Sequence, residues 1–259
     1  MKQQLSAAVA ELARWHDEGR ILPVWWRDDD ATMPTPPLER LLALATEFDA
    51  PLHLAVIPEP ATAELADRLR LASRIFVLPH GWRHHNNAPP DKKKAEFGAL
   101  RPPAVMLDEI ATGWRRIEEL FGRRALPIFT PPWNRIAPAA AEGLPGIGLQ
   151  VLSTFSPRAT KFAAEDLLQV NTHVDPVDWH AGGGLLDPAQ LAGQIAAELA
   201  DRRQGRADNA EPYGLLTHHL VQDEATWSFT ATLLEMFAES GVAIWTSPLD
   251  EVSGLKSSS

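Results

Sequence analysis

Short apolar runs that favour β-structure alternate with amphipathic stretches along most of this chain of 259 residues. The apolar runs predict strands near residues 21–26, 52–57, 74–78, 126–129, 149–155, 168–174, 214–217 and 242–245. The amphipathic stretches predict helices near residues 37–48, 61–71, 107–121, 188–203 and 224–240. Strands that alternate with helices at this rhythm build a mostly parallel α/β sheet, open or closed into a barrel. Because a barrel of this length is commonly one domain, we predict a single domain over residues 1–259.

The two ends of the chain differ in pattern. Leu5, Leu12 and His16 fall at helical spacing, which predicts an amphipathic helix near residues 3–19. The final serines predict a disordered tail near residues 255–259. The N-terminal stretch lacks the apolar segment of a signal peptide, and no run reaches the roughly 18 apolar residues of a spanning helix. We therefore expect a cytoplasmic protein without a membrane partner.

The composition excludes several kinds of chemistry. The chain contains no cysteine, so disulfides, thiolate metal sites and cysteine nucleophiles are ruled out. The formal net charge of −10 argues against nucleic acid or an anionic membrane surface as a partner. The expected partner is a small-molecule or oligosaccharide substrate. No pattern in the sequence indicates an oligomeric state.

Polar residues follow directly after five of the predicted strands. These clusters are residues 28–30, 80–85, 131–135, 175–180 and 218–219. In parallel α/β folds, and in barrels especially, active sites form where the carboxyl ends of the strands converge. The five clusters are therefore expected to face one another.

Three adjacent carboxylates, Asp28, Asp29 and Asp30, end the first apolar run. Carboxylates held together repel one another, and burial disfavours their ionised forms, so a metal ion or an arginine must offset the charge. His80 and His84 are four residues apart, a spacing that lets two imidazoles reach one cation. Two histidines and one carboxylate leave open positions on a divalent metal for water and substrate. His85 is a rival ligand, although the spacing favours His84.

Five short motifs resemble those of one enzyme family. They are Asp29-Asp30-Ala31, His80-x-x-x-His84, Pro131-Pro132-Trp133, Asp175-x-x-Asp178-Trp179 and Leu216-Thr217-His218. Their order and kind resemble the polysaccharide deacetylase family, also called NodB-homology or carbohydrate esterase family four. The resemblance implies a deformed (β/α) barrel of seven or eight mostly parallel strands. It also implies hydrolysis of an N-acetyl group with a divalent metal, most often Zn²⁺, with Co²⁺, Ni²⁺, Mn²⁺ or Fe²⁺ as alternatives.

The resemblance assigns roles to the acidic residues and the histidines. Asp30, His80 and His84 are the expected metal ligands, and Asp29 is the expected base. In an extended strand Asp28 and Asp30 share one face, which agrees with this register. Asp28 as base with Asp29 as ligand stays open, because a strand end need not remain extended.

The remaining motifs supply the other expected catalytic groups. Pro131 and Pro132 have no N–H, so Trp133 offers the first main-chain donor after its strand, in the place of an oxyanion donor. His218 matches the general acid that protonates the leaving amine. Asp178 matches a residue that steadies the base, whereas Asp175 is interpreted as the start of a turn.

One position departs from the family. Where many members carry an arginine that orients the catalytic aspartate, this chain has Thr130. Arg27 or Arg135 can supply the missing charge, and Arg27 is closer in sequence to the carboxylates. If neither does so, a non-catalytic glycan-binding protein becomes the alternative.

Aromatic residues near the strand ends complete the candidate site. Trp82, Trp133 and Trp179, together with Asn134, are the expected substrate-binding residues. The lysines at 92–94 are interpreted as a solvated face. The predicted function is metal-dependent removal of an acetyl group from an N-acetylated sugar or related amide. Hydrolysis of a small non-carbohydrate amide, as in allantoinase-like relatives, is the nearest alternative.

Overall fold

The computed structural model describes residues 4–256. Its strands are β1 (Leu22–Ala31), β2 (Leu52–Val56), β3 (Ile75–Pro79), β4 (Ile128–Phe129), β5 (Val151–Leu152), β6 (Phe162–Ala164), β7 (Leu167–Gln169), β8 (Tyr213–Thr217) and β9 (Ala243–Trp245). Its α-helices are α1 (Ser6–Asp17), α2 (Pro36–Glu47), α3 (Ala63–Arg70), α4 (Pro103–Phe121), α5 (Pro138–Ala141), α6 (Pro188–Arg203), α7 (Glu224–Glu239) and α8 (Pro248–Lys256). A 3₁₀ turn at Pro132–Asn134 follows β4.

Two sheets form the barrel wall. In the first, β3, β2, β1 and β8 lie side by side in parallel, and β9 pairs with the start of β1. In the second, β4, β5 and β7 are parallel and β6 is antiparallel to β7. Parallel bridges join the two sheets at both sides, between His80 and Thr130 and between Val174 and Leu215. The result is a deformed barrel of mostly parallel strands, as predicted.

The sequence signals for several elements are visible in the structure. Pro36 begins α2 after Thr35, whose hydroxyl accepts a hydrogen bond from Leu38 N–H, so the helix start is both capped and preset by proline. Strands β1, β2 and β8 are buried almost throughout, which is why they read as continuous apolar runs rather than alternating ones. None of the helices in the described part of the chain has the length and apolar character that crossing a bilayer requires.

Some predicted bounds were wrong. Strand β1 continues to Ala31, because β2 and β8 pair with it on both sides past the apolar run. The helix α8 runs to Lys256, whereas a disordered tail was predicted from residue 255. Residues 257–259 of that tail, and residue 3 of the predicted first helix, lie outside the described residues. The short strand β6 and the helices α5 and α8 were not predicted.

Candidate active site

A bulge at the end of β1 separates the three aspartates. The pairing of β1 with β2 shifts register between Asp28 and Ala31, and Asp30 has a φ of 75°. Aspartate tolerates this left-handed conformation better than most residues. Asp28 and Asp29 are buried, whereas Asp30 is partly exposed. A bulge of this kind re-aims the side chains at a strand end.

The re-aimed carboxylate meets two imidazoles. Asp30 Oδ1 lies 3.1 Å from His80 Nε2 and 3.3 Å from His84 Nε2. One donor atom from each residue lies within 4.8 Å of the other two. For bonds of about 2.1 Å to a tetrahedral cation, neighbouring ligand atoms lie about 3.4 Å apart. The three residues therefore fit a divalent metal ion and leave further coordination positions open.

The backbone fixes how each histidine is presented. The carbonyl oxygen of Thr130 lies 3.1 Å from His80 Nδ1, and this contact leaves Nε2 facing Asp30 Oδ1. His84 has a φ of 56°, and its ring packs on Trp133 at 4.4 Å between centroids. His85, the rival ligand in the sequence, is exposed.

Burial and neighbouring charges shift the pKa values of all three residues. Burial would raise the pKa of Asp30, but the hydrogen bond with His80 and the neighbouring imidazoles outweigh it and hold that pKa well below its usual range. Burial and the charge of His80 lower the pKa of His84, whereas burial of His80 is outweighed by Asp29 and Asp30, which raise the pKa of His80. A carboxylate that stays ionised and an imidazole that stays neutral are the forms that bind metal.

Asp29 is held by the arginine two residues before it. Arg27 Nη2 donates to Asp29 Oδ2 at 3.0 Å, and Arg27 Nε lies 2.9 Å from Asp29 Oδ1. Arg27 is itself fixed by Asn134 Oδ1 at 2.8 Å and by Ser153 Oγ at 2.8 Å. An arginine at position 130 is therefore not required to orient Asp29, because β1 supplies Arg27 beside that carboxylate. Arg135, the other residue considered for this charge, instead donates to the Lys94 carbonyl oxygen.

The histidine that directly follows β8 faces the same space. His218 Nε2 lies 4.0 Å from Asp29 Oδ2, and His218 Nδ1 lies 3.6 Å from Asp175 Oδ2. Trp179 packs edge-on against the His218 ring and donates from Nε1 to Asp175 at 2.8 Å. Burial raises the pKa of Asp175 despite these contacts.

The prediction for Asp178 was wrong in its contacts. Its carboxylate accepts from the backbone N–H groups of His180 and Ala181, so it closes a turn. Asp175 begins a turn, as predicted, because its Oδ1 accepts from the Val177 N–H at 3.0 Å, and its Oδ2 also lies beside His218. A spacing of three residues in one motif does not reveal which carboxylate points inward.

Asp28 belongs to a separate buried pair. It accepts from the Thr217 hydroxyl at 2.6 Å and from the backbone N–H of His219 at 3.0 Å, and its Oδ1 contacts His219 Nδ1. Burial opposes the charged imidazole, but Asp28 outweighs it and raises the pKa of His219. These contacts direct Asp28 away from the Asp30 cluster.

These groups open into one cavity of about 800 Å³. Its lining includes Asp29, Asp30, His80, His84, Trp133, Asn134, Asp175, Trp179 and His218. Trp82 does not line it and packs against the hydrophobic core, so its role in substrate binding stays a prediction. Lys94, Phe155, Leu186 and Gln194 also line the cavity and were not predicted. They come from loops and from α6, where nothing local in the sequence marks a site.

The arrangement suits hydrolysis. A carboxylate fixed by arginine, a histidine at the same space and a donor set for a divalent cation are the parts of a metal-assisted attack by water.

Comparison with solved structures identifies the fold. No family sequence profile matches this chain, and no curated protein is similar to it in sequence. A peptidoglycan deacetylase from Bacillus subtilis matches with a TM-score of 0.54 and 15% identity, over 92% of this chain and 94% of that one. A family 4 acetyl xylan esterase from Clostridium thermocellum, in complex with a cobalt ion, matches with a TM-score of 0.51 and 16% identity, over 90% of this chain and 91% of that one. A family 4 carbohydrate esterase from Streptomyces lividans, in complex with acetate, matches with a TM-score of 0.51 and 14% identity, over 87% of this chain and 92% of that one. The chain has a polysaccharide deacetylase-like fold.

Proposed function

Proceeding from that fold, we propose that the protein is a metal-dependent hydrolase that removes the acyl group from an N-acylated sugar or a related amide. The observation that carries the proposal is the Asp30–His80–His84 donor set in one cavity with Asp29 and His218. Residues 1–259 would act as one catalytic domain. The cytoplasmic location expected from the sequence stays a prediction.

The proposed ligands are Asp30, His80 and His84, and Zn²⁺ is the expected ion. A bound divalent cation would supply a Lewis acid that lowers the pKa of water and polarises the acyl carbonyl. Asp29 takes the proton from the attacking water. Arg27 orients that carboxylate, because its Nη2 donates to Oδ2 at 3.0 Å and its Nε lies 2.9 Å from Oδ1.

Two further groups act on the substrate. The main-chain N–H of Trp133 stabilises the oxyanion that develops as the carbonyl is attacked. The Trp133 side chain forms a wall of the cavity. His218 donates a proton to the departing nitrogen, and Asp175 orients the imidazole from 3.6 Å. Asp178 is retained in the proposal only as the residue that shapes the loop carrying Trp179.

One observation favours the second candidate, a hydrolase of a small non-carbohydrate amide. The cavity of about 800 Å³ has the size of small-molecule sites. Assaying N-acetylglucosamine oligomers beside cyclic and linear ureides separates the two substrate classes. The non-catalytic alternative depended on a base without an arginine, and Arg27 lies on Asp29.

The test combines metal content with turnover. Asp30→Asn and His80→Ala should weaken metal binding by more than the roughly 10–100-fold that loss of an outer-shell partner costs. Asp29→Asn should keep its metal and lose activity by about 10³-fold, the middle range for a general base. Unchanged metal content in Asp30→Asn and His80→Ala would remove the metal centre, and full activity in Asp29→Asn would remove the base.

A further inference from the structure

Two basic side chains, Lys94 and Arg135, line the cavity that holds the Asp30 cluster. Arg135 follows Trp133 and Asn134 in the loop after β4, and Lys94 lies in the loop between β3 and α4. Arg135 Nη1 donates a 2.9 Å hydrogen bond to the Lys94 carbonyl oxygen. This bond joins the two loops and holds both cationic residues at the same edge of the cavity.

Neither cation is neutralised by the protein. Within residues 4–256, Lys94 and Arg135 have no carboxylate at ion-pairing distance, whereas Arg101 pairs with Glu109 and Arg158 pairs with Asp208. The chain has 34 acidic residues against 24 lysines and arginines. In such an acidic protein, two unpaired cations at the edge of one cavity are available to a ligand.

The acidic residues of the cavity are already engaged elsewhere. They are Asp29 with Arg27, Asp30 with His80 and His84, Asp175 with His218, and Asp178 with the backbone of its own turn. An anion that enters at the Lys94 edge therefore meets unpaired positive charge, while the carboxylates opposite are balanced by their own partners.

We propose that Lys94 and Arg135 bind an anionic oxygen group, a carboxylate or a phosphate, on the same substrate whose amide is hydrolysed. The inference rests on the proposed function and adds the substrate class, an acylated amine that carries a negative charge. The planar fork of Arg135 matches two oxygens of such a group, and Lys94 adds a second charge. A small molecule can carry both groups within about 800 Å³.

This assignment changes the interpretation of the lysine run. The sequence predicts residues 92–94 as a solvated face, but only Lys94 of the three lines the cavity. Lys93 and Lys94 are both exposed, but Lys93 does not line the cavity. The adjacent residues therefore offer a matched pair, one lysine at the cavity and one outside it.

Binding of tailed hydroxamates to the Zn²⁺-loaded protein tests the inference. The probes are hydroxamates whose chain of four to eight carbons ends in a carboxylate, a phosphonate or a neutral carboxamide. Calorimetry measures the affinity of each probe. A charged tail of the right length should bind about tenfold more tightly than the carboxamide, as expected for charge-assisted hydrogen bonds. Arg135→Gln should remove most of this preference, Lys94→Gln part of it and Lys93→Gln none.

The controls separate this inference from the metal centre. Acetohydroxamate, which has no tail, should bind equally to all variants if the centre is intact, and Arg135→Lys should retain part of the preference. Equal binding of charged and neutral tails, or a preference that survives in both Arg135→Gln and Lys94→Gln, overturns the anion site and leaves the metal centre standing. Failure of every hydroxamate to bind overturns the metal centre and this inference with it. The ratio of carboxylate to phosphonate affinity decides between the two anions.

Discussion

Two clusters of arginine, carboxylate and histidine lie among residues 4–256, and one of them lines the cavity of about 800 Å³. The sealed cluster consists of Arg158, His173, Arg202 and Glu211, all buried. The site cluster consists of Arg27, Asp29, Asp30, His80, His84 and His218, of which all but Arg27 line the cavity. The same residue types therefore form a structural cluster in one place and a candidate active site in the other.

The sealed cluster satisfies its own polar atoms. Glu211 accepts from the backbone N–H of Asn171 at 2.8 Å and of Arg158 at 3.1 Å. The N–H of Gly214 donates to His173 Nδ1 at 2.9 Å, and His173 Nε2 lies 2.7 Å from Arg202 Nη2 and 3.2 Å from Glu211 Oε2. Burial lowers the pKa of His173, in agreement with a neutral ring. Nothing in this cluster requires a ligand.

The site cluster and its immediate neighbours leave polar atoms without partners. Of the seven buried side-chain atoms in residues 4–256 that lack a hydrogen-bond partner, five lie at or beside the site. They are Arg27 Nε, Asp29 Oδ1, Thr130 Oγ1, His218 Nδ1 and His219 Nε2. Arg27 Nε and Asp29 Oδ1 approach to 2.9 Å without the alignment of a hydrogen bond. Because such atoms are costly, their concentration marks where water, metal or substrate is needed.

The largest effect on stability should come from breaking the sealed cluster. Glu211→Ala leaves Arg202 buried without its carboxylate, which should lower the free energy of unfolding by about 3–5 kcal/mol. Asp30→Asn should change it little in the metal-free protein, because Asp30 is partly exposed and asparagine accepts its positive φ. Urea unfolding of both variants without metal measures the difference. Equal losses in the two variants would contradict the division between a structural and a functional cluster.

A buried histidine outside both clusters tests the same idea through pH. Burial lowers the pKa of His53 from 6.5 to about 4, despite its contact with the Trp26 carbonyl oxygen. The unfolded chain therefore binds the proton first, so stability is complete above about pH 6.5 and is lost as the pH falls toward 4. The full loss is about 3 kcal/mol.

The His53 contribution is isolated by a variant that does not titrate. Unfolding of the wild type and of His53→Gln should show a steeper loss for the wild type between pH 6.5 and 4. Identical pH dependence would mean that His53 does not stay neutral in the folded protein.

The smallest expected effect is a change in kcat, caused by substituting a residue at the edge of the site cluster. Asn134 was predicted to bind substrate, but its Oδ1 accepts from Arg27 at 2.8 Å. Asn134→Gly removes this acceptor and suits the local φ of 56°. Loss of about 1 kcal/mol of positioning should reduce kcat roughly fivefold with little change in KM. Steady-state kinetics decide the matter, since a KM increase at constant kcat would return Asn134 to substrate binding.

Much of the fold follows from patterns that are local in the chain. All eight predicted strands and all six predicted helices occur, because apolar periodicity and capping residues act over a few neighbouring positions. Strand β6 was missed because its three residues, Phe162–Ala164, are largely outside the core and carry no alternation. The unpredicted α8 begins at Pro248, a helix-start signal that the serine-rich end of the chain obscured.

The sequence by itself determined which residue types would gather at one end of a parallel barrel, and that His80 and His84 would lie close together. The tertiary structure decided which way each neighbouring side chain points. Pairing of β1 with β2 and β8 makes the bulge that turns Asp30 toward the histidines and leaves Asp28 on His219. It also placed Asp175 rather than Asp178 at His218, and brought Lys94 to the cavity. A side chain's direction at a strand end depends on backbone angles and on partners distant in the chain, and no local spacing specifies these.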